Sequence, residues 1–260
     1  MAAPATTTIK NLTGQWQMDT TLSDPTDSIL SLVRTKENIR HMRAALHTNG
    51  KNGPKKILTN TAQQGMSWFL RKALPYATVT LHVKEYAEEA NPLVYHIDVD
   101  QVITGGINGT QERRQLDWEQ RDHTDNIFGT LHGRSRFIRG VKGADGKVRP
   151  AVEIQTKVGD AAADEKAGKF LRGEILADGS ASEGYLVEDE GDEFGEGEGL
   201  YVQSWVVNEE SGWTAEQIWG FELINGSLRH HSRRVAVTKG NGHVELARLV
   251  YVWQKPTASE

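Results

Sequence analysis

Apolar and polar positions alternate with a period of two over most of this chain. Residues 13–20, 77–86, 94–102, 109–118, 126–137, 200–207, 214–224, 228–238 and 243–254 each carry β-branched or aromatic residues at alternate places. Gly, Asn and Asp separate these runs. Asn225-Gly226 is a hairpin turn signal, and Gly105-Gly106 and Gly240-Asn241-Gly242 mark further turns. With a further run at 151–156, this predicts about ten strands at the spacing of an all-β barrel or sandwich.

Helical signals are few. After the first run, Ser23 or Asp24 can act as N-cap and Pro25 stands near the first helical position. Ile29, Leu30 and Leu32 then form an apolar stripe. Residues 65–74 predict a second short helix ended by Pro75, and residues 160–172 a third with Asp160 as N-cap. Two segments break the rhythm. Residues 33–64 are basic and polar, and a long insert between two short helices is unusual. Residues 139–199 are irregular and end in a glycine-rich tract, 183–198, that holds eight acidic residues and no Lys or Arg. It lacks the alternate carboxylates and central glycine of a calcium loop, so it reads as a solvated loop.

Composition narrows the function. The chain has 260 residues, 30 basic against 35 acidic, and no cysteine. Disulfides, thiolate metal sites and a cysteine nucleophile are excluded. The net charge of −5 argues against a nucleic-acid platform. Residues 1–10 lack a basic stretch followed by an apolar run, and no segment reaches the length of a membrane span. A cytoplasmic single-domain protein of 1–260 is the expectation. A nucleophile elbow, a P-loop, H-E-x-x-H and a strand-to-helix G-x-G-x-x-G are all missing.

Three features resemble the calycin superfamily, the lipocalins and fatty-acid-binding proteins. They are Gly14-x-Trp16 near the start of the first strand, Arg248 on the last strand, and the order strand, helix, helix, strands. Stretches such as 77–86, 96–101 and 212–221 are similar to fungal lipocalin-like proteins of unknown role. The resemblance implies an antiparallel up-and-down barrel with a helix-turn-helix lid. It also implies that Arg248 packs over Trp16 at the barrel base. Excising residues 33–63 would join Leu32 to Gln64 and restore that lid, so the insert reads either as a flexible segment or as a retained intron. The carboxylate clamp of fatty-acid-binding proteins, R-x-Y, does not carry over. Here Arg248 and Tyr251 are three apart, on opposite faces of a strand.

A barrel of this size can enclose an apolar guest. Gln217, Trp219 and Phe221 share one strand face, and Tyr201, Gln203 and Trp205 share another, so both stripes are candidate lumen walls. Alternation pairs His231 with Arg233 and His230 with Arg234, and one pair should point inward. An inward arginine attracts an anionic or enolate oxygen, and an inward histidine can exchange protons. Arg113-Arg114 beside Glu112 invites the same reading. On His96-x-Asp98-x-Asp100 the apolar residues lie on the opposite face, which makes the carboxylates a solvent face and no metal site. The leading expectation is binding of a small apolar molecule, a lipid, polyketide or terpenoid, without cofactor. Tyr201, Gln203, Trp205, Gln217, Trp219, Phe221 and Arg233 are its candidate contacts. The alternative is a cofactor-free cyclase, pericyclase or isomerase with His231, Arg234, Glu216 and Tyr251 as candidate catalytic groups.

Overall fold

The computed structural model describes residues 1–33, 78–103, 107–125, 129–189, 191, 193–240 and 242–254. The expected second helix at 65–74, most of the 33–64 insert and the Gly105-Gly106 turn lie outside the described residues. The elements run β1 (Gly14–Met18), α1 (Asp27–Val33), β2 (Val79–Ala87), β3 (Tyr95–Ile103), β4 (Ile107–Gln115), β5 (Arg121–Asp125), β6 (Gly129–Lys142), β7 (Val148–Pro150), α2 (Ala161–Leu171), β8 (Glu198–Asn208), β9 (Trp213–Ile224), β10 (Leu228–Lys239) and β11 (Val244–Gln254). One antiparallel sheet takes the order β4-β3-β2-β1-β11-β10-β9-β8-β6-β5, and β7 pairs with β6. It curls into a half-barrel. Among the described residues no ladder joins its two edge strands, β4 and β5.

The strand rhythm is found much as the alternation predicts, with β1 pairing β11 and so joining the two ends of the chain. At Asn225-Gly226 both residues adopt positive φ, the conformation that this hairpin turn needs. The run at 151–156 is not a strand: Gln155 and Thr156 give their N–H groups to the Glu216 carboxylate instead of to a neighbouring strand. Ser23 and Asp24 do not cap α1, which begins at Asp27. They serve β11 instead: Val250 N–H donates to Ser23 Oγ at 2.8 Å and Arg248 N–H to Asp24 Oδ2 at 2.8 Å. Asp160 does cap α2, its side chain accepting from Ala163 N–H.

The base of the curl is a packed core. Ala3, Ile9 and Leu12 from the N-terminal segment join Trp16, Leu81, Ile97, Val99 and Phe221 there. Trp16 is fully buried, donates from Nε1 to Leu12 O at 2.8 Å and meets Trp253 edge-on at 4.9 Å. Gly14 is obligatory at this point. Its φ is +143°, and a Cβ would stand 2.0 Å from the Trp253 ring. The acidic tract is not a free loop. Glu188 pairs with Arg229 of β10 at 2.6 Å and Asp189 accepts from Ile9 N–H, so two of its carboxylates tie the tract to β10 and to the N-terminal segment.

A second core lies on the outer face. Residues 139–199 fold back over β8, β9 and β10, and Ala167, Phe170, Leu171 and Tyr185 pack against Tyr201, Ile218 and Ala236. These strands are therefore buried on both faces, which an antiparallel sheet with one wet face would not be.

Candidate functional site

Above the packed base the curl encloses a cavity of ≈ 900 Å³, within the range of small-molecule sites. Its walls are aliphatic. Val79 and Leu81 of β2, Val235 and Val237 of β10, Leu249 of β11 and Val206 of β8 line it, and Ile29 and Val33 bring α1 over it. Alternation explains the composition: each of these strands turns one apolar stripe inward. The cavity also reaches the open seam, where Arg113, Gln115, Arg121 and His123 line it.

Its floor is polar and tightly bonded. Glu112 and Arg114 alternate on β4, register with Val99 and Ile97 of β3, and so share the inward face. Arg114 grips Glu112 Oε2 through Nη2 at 2.7 Å and Nε at 3.1 Å. Gln101 donates to Glu112 Oε1 at 3.1 Å. Arg114 Nη1 then crosses the seam to Ser204 Oγ and Ser135 Oγ. Burial opposes ionisation of Glu112, but the Arg114 and Arg233 guanidinium groups hold its carboxyl below the ordinary range. Gln217 and Tyr251 complete the floor. Gln217 Oε1 accepts from Trp219 Nε1 at 3.0 Å. The Tyr251 hydroxyl meets no hydrogen-bond partner among the described residues. Burial raises its pKa against the opposing pull of Arg233, so it stands as a protonated donor at neutral pH.

The structure divides the sequence-predicted residues between two faces. Gln217 and Tyr251 line the cavity. Trp219, Phe221, His231 and Arg233 are on the inward face below it. His231 is 1 % exposed, with Nδ1 against Gly220 O at 3.1 Å and Nε2 accepting from Arg233 Nε at 3.3 Å. Burial and then the Arg233 charge hold its pKa well below the ordinary value, so it is neutral and both ring nitrogens are occupied. That setting offers no proton exchange near neutral pH.

Tyr201, Gln203, Trp205, Glu216 and Arg234 are on the outer face, contrary to the lumen assignment. Tyr201 is in the second core, where Tyr185 meets it at 5.5 Å. Trp205 stacks under Arg134 at 4.7 Å. Glu216 accepts from Gln203 at 2.7 Å and from the Gln155 and Thr156 N–H groups, and burial raises its pKa. Arg234, fully buried, makes two bonds to Glu222, at 3.0 and 2.9 Å, and donates to Ile175 O and Phe170 O under the end of α2. It joins the barrel to the insertion. Arg248 is also outside and meets Glu222 at 3.3 Å; it does not pack over Trp16. The arginine at the base is Arg229, 3.6 Å over the Phe221 ring.

Gln101, Ser135 and Ser204 carry no mark of their own in the sequence, and Glu112 and Arg114 only a weak one. One signal was available: on β4 these two charges alternate in register with the apolar face of β3. Among the described residues no group of three or more His, Asp or Glu could hold a metal ion, and no helix is long and apolar enough to cross a membrane.

The chain is similar over nearly its whole length to two fungal proteins. It is 24 % identical over 255 residues to the probable pericyclase scpY of Mollisia scopiformis, a match covering 98 % of this chain and 96 % of that protein. It is 24 % identical over 263 residues to the pericyclase pydY of an Acremonium species, covering 99 % and 100 %. No family model matches the chain. No solved structure matches it.

Proposed function

We propose that this protein accelerates a pericyclic ring closure of an apolar, conjugated small molecule held in the ≈ 900 Å³ cavity. The observation that carries this reading is the end-to-end likeness to two pericyclases. The cavity agrees with it. In a pericyclic step π bonds become σ bonds in one cyclic rearrangement, with no proton, hydride or leaving group lost. The protein therefore needs a shape that folds the substrate toward its reactive conformer and walls that exclude water. It also needs donors that polarise a conjugated carbonyl. The aliphatic walls serve the first two needs and Tyr251 the third. Enclosing an apolar guest in a curled antiparallel sheet extends the resemblance to calycins.

The test is incubation with a conjugated diene tethered to a carbonyl-activated alkene, followed by chiral chromatography. Faster closure with one dominant stereoisomer is the expected result. The isomer mixture and rate of buffer alone would overturn catalysis. Binding without turnover would favour a second reading, simple ligand carriage, which the aliphatic cavity walls also support.

A further inference from the structure

Arg233 is a buried cation that forms no ion pair with a carboxylate among the described residues. It is 4 % exposed. Its Nε donates to the neutral His231 ring at 3.3 Å, and its terminal nitrogens have no hydrogen-bond partner among the described residues. Its guanidinium lies 3.7 Å over Trp219 and 5.1 Å from the Tyr251 ring. Those aromatic faces offset part of the cost of burial but supply no anion. The nearest acid that bears on it is Glu112, and Glu112 is already gripped by Arg114 and Gln101. The other charged group that bears on it, Arg114, is positive. The inner end of the lumen thus carries an excess positive charge. Arg114 has Glu112, Arg229 has Glu188, and on the outer face Arg234 has Glu222; Arg139, also buried and without an ion pair among the described residues, donates instead to the carbonyl oxygens of Gly195, Asp189 and Gly199.

Arg233 does not itself line the cavity but lies directly below residues that do. Its register partner Leu249 lines the cavity, as does Val235 two residues along β10 and Tyr251 beside it. We infer that the ligand carries an acidic oxygen, a carboxylate or enolate on an apolar body, which Arg233 and the free Tyr251 hydroxyl take up at the cavity floor. The guanidinium supplies the charge and its paired N–H groups, and the tyrosine a further donor. This deepens the functional reading above, since it rests on the cavity being a ligand site. It depends on binding alone, not on turnover.

The test compares dodecanoate with its uncharged methyl ester by titrating intrinsic tryptophan fluorescence at pH 7.5. Trp219, stacked on Arg233, is a built-in reporter. Wild-type protein should bind dodecanoate at least tenfold more tightly. Arg233→Met and Arg233→Gln should bring the two probes within about twofold while keeping affinity for the ester. Glu112→Gln, which removes the remaining competing anion, should widen the preference. Equal binding of the two probes by wild-type protein overturns the inference even if neither variant folds. So does a preference that survives loss of Arg233 or narrows in Glu112→Gln. Anion preference without ring closure of any substrate would leave this inference standing and remove the catalytic one.

Discussion

Arg114 on β4 donates to the Ser204 hydroxyl on β8, ninety residues further along the chain, and so spans the seam that the sheet hydrogen bonds leave open. The same guanidinium grips Glu112 beneath the cavity. Closure of the half-barrel at this level is made by side chains, and the polar floor and the structural tie are the same group. Arg114→Met should therefore cost more than the pair energy alone, because it leaves Glu112 charged and unpaired. With side-chain exposures of 11 % and 23 %, we expect about 2–3 kcal/mol, toward the low end for a broken buried pair. The double variant with Glu112→Gln should recover more than half of that. Urea unfolding of the three variants measures the coupling, and strict additivity would contradict it.

Tyr251→Phe separates chemistry from folding. The hydroxyl has no hydrogen-bond partner to lose among the described residues, so Tm should stay within about 2 °C of wild type. The rate of ring closure should fall roughly tenfold in kcat with KM little changed, less than the loss for a full oxyanion donor because less charge develops on the carbonyl.

Glu216→Gln is the matching control on the outer face. Glu216 bonds to Gln203 and to the backbone of the insertion, away from the cavity. Turnover and dodecanoate affinity should be unchanged within twofold. A large loss of either would mean that the outer face takes part in the site.

The packed base should make stability depend on pH. Glu85 is buried, accepts from Leu12 N–H at 2.7 Å, leaves Oε1 without a partner among the described residues, and has a pKa pushed up from 4.5 to about 8, chiefly by burial. The folded state then binds a proton that the unfolded chain has released above about pH 4.5. Its contribution is full below that pH and is lost progressively up to about pH 8, by as much as ~4 kcal/mol at one unit per 1.36 kcal/mol. Glu85→Gln should flatten this slope and be the more stable protein at pH 8. Denaturant unfolding at pH 5, 6.5 and 8 reads the difference.

Gly14→Ala tests the close approach at the first tryptophan. The added carbon meets the Trp253 ring at 2.0 Å and a φ of +143° that side chains resist. A loss of about 3 kcal/mol or more is expected. Trp253→Leu should restore part of it, since the steric share is relieved while the backbone strain remains.

Much of the strand and turn pattern was readable because a half-buried strand must alternate, and Asn-Gly turns need positive φ. Gly14-x-Trp16 was readable as a motif, but its reason was not: the space that Gly14 leaves is filled by Trp253, 239 residues later in the chain. Ser23 and Asp24 look like helix caps in sequence, yet β11 claims their side chains, because a strand edge offers the same N–H donors as a helix start.

Alternation along each strand is enough to say which residues share a face: His231 with Arg233, Gln217 with Trp219, Tyr201 with Gln203 and Trp205, Arg248 opposite Tyr251. Which face is inward follows from the packing of the whole fold. The reason lies in the 139–199 insertion, which covers the outer side of β8, β9 and β10. Tyr201 and Val202, or Ile218 and Trp219, are neighbours on opposite faces and are all fully buried. Where both faces are dry, the contrast between apolar and polar positions that marks inside from outside is erased, and period two alone cannot orient the strand. Pairing across the seam, Arg114 with Ser204, has no local signature at all, since it depends on how far the whole sheet curls.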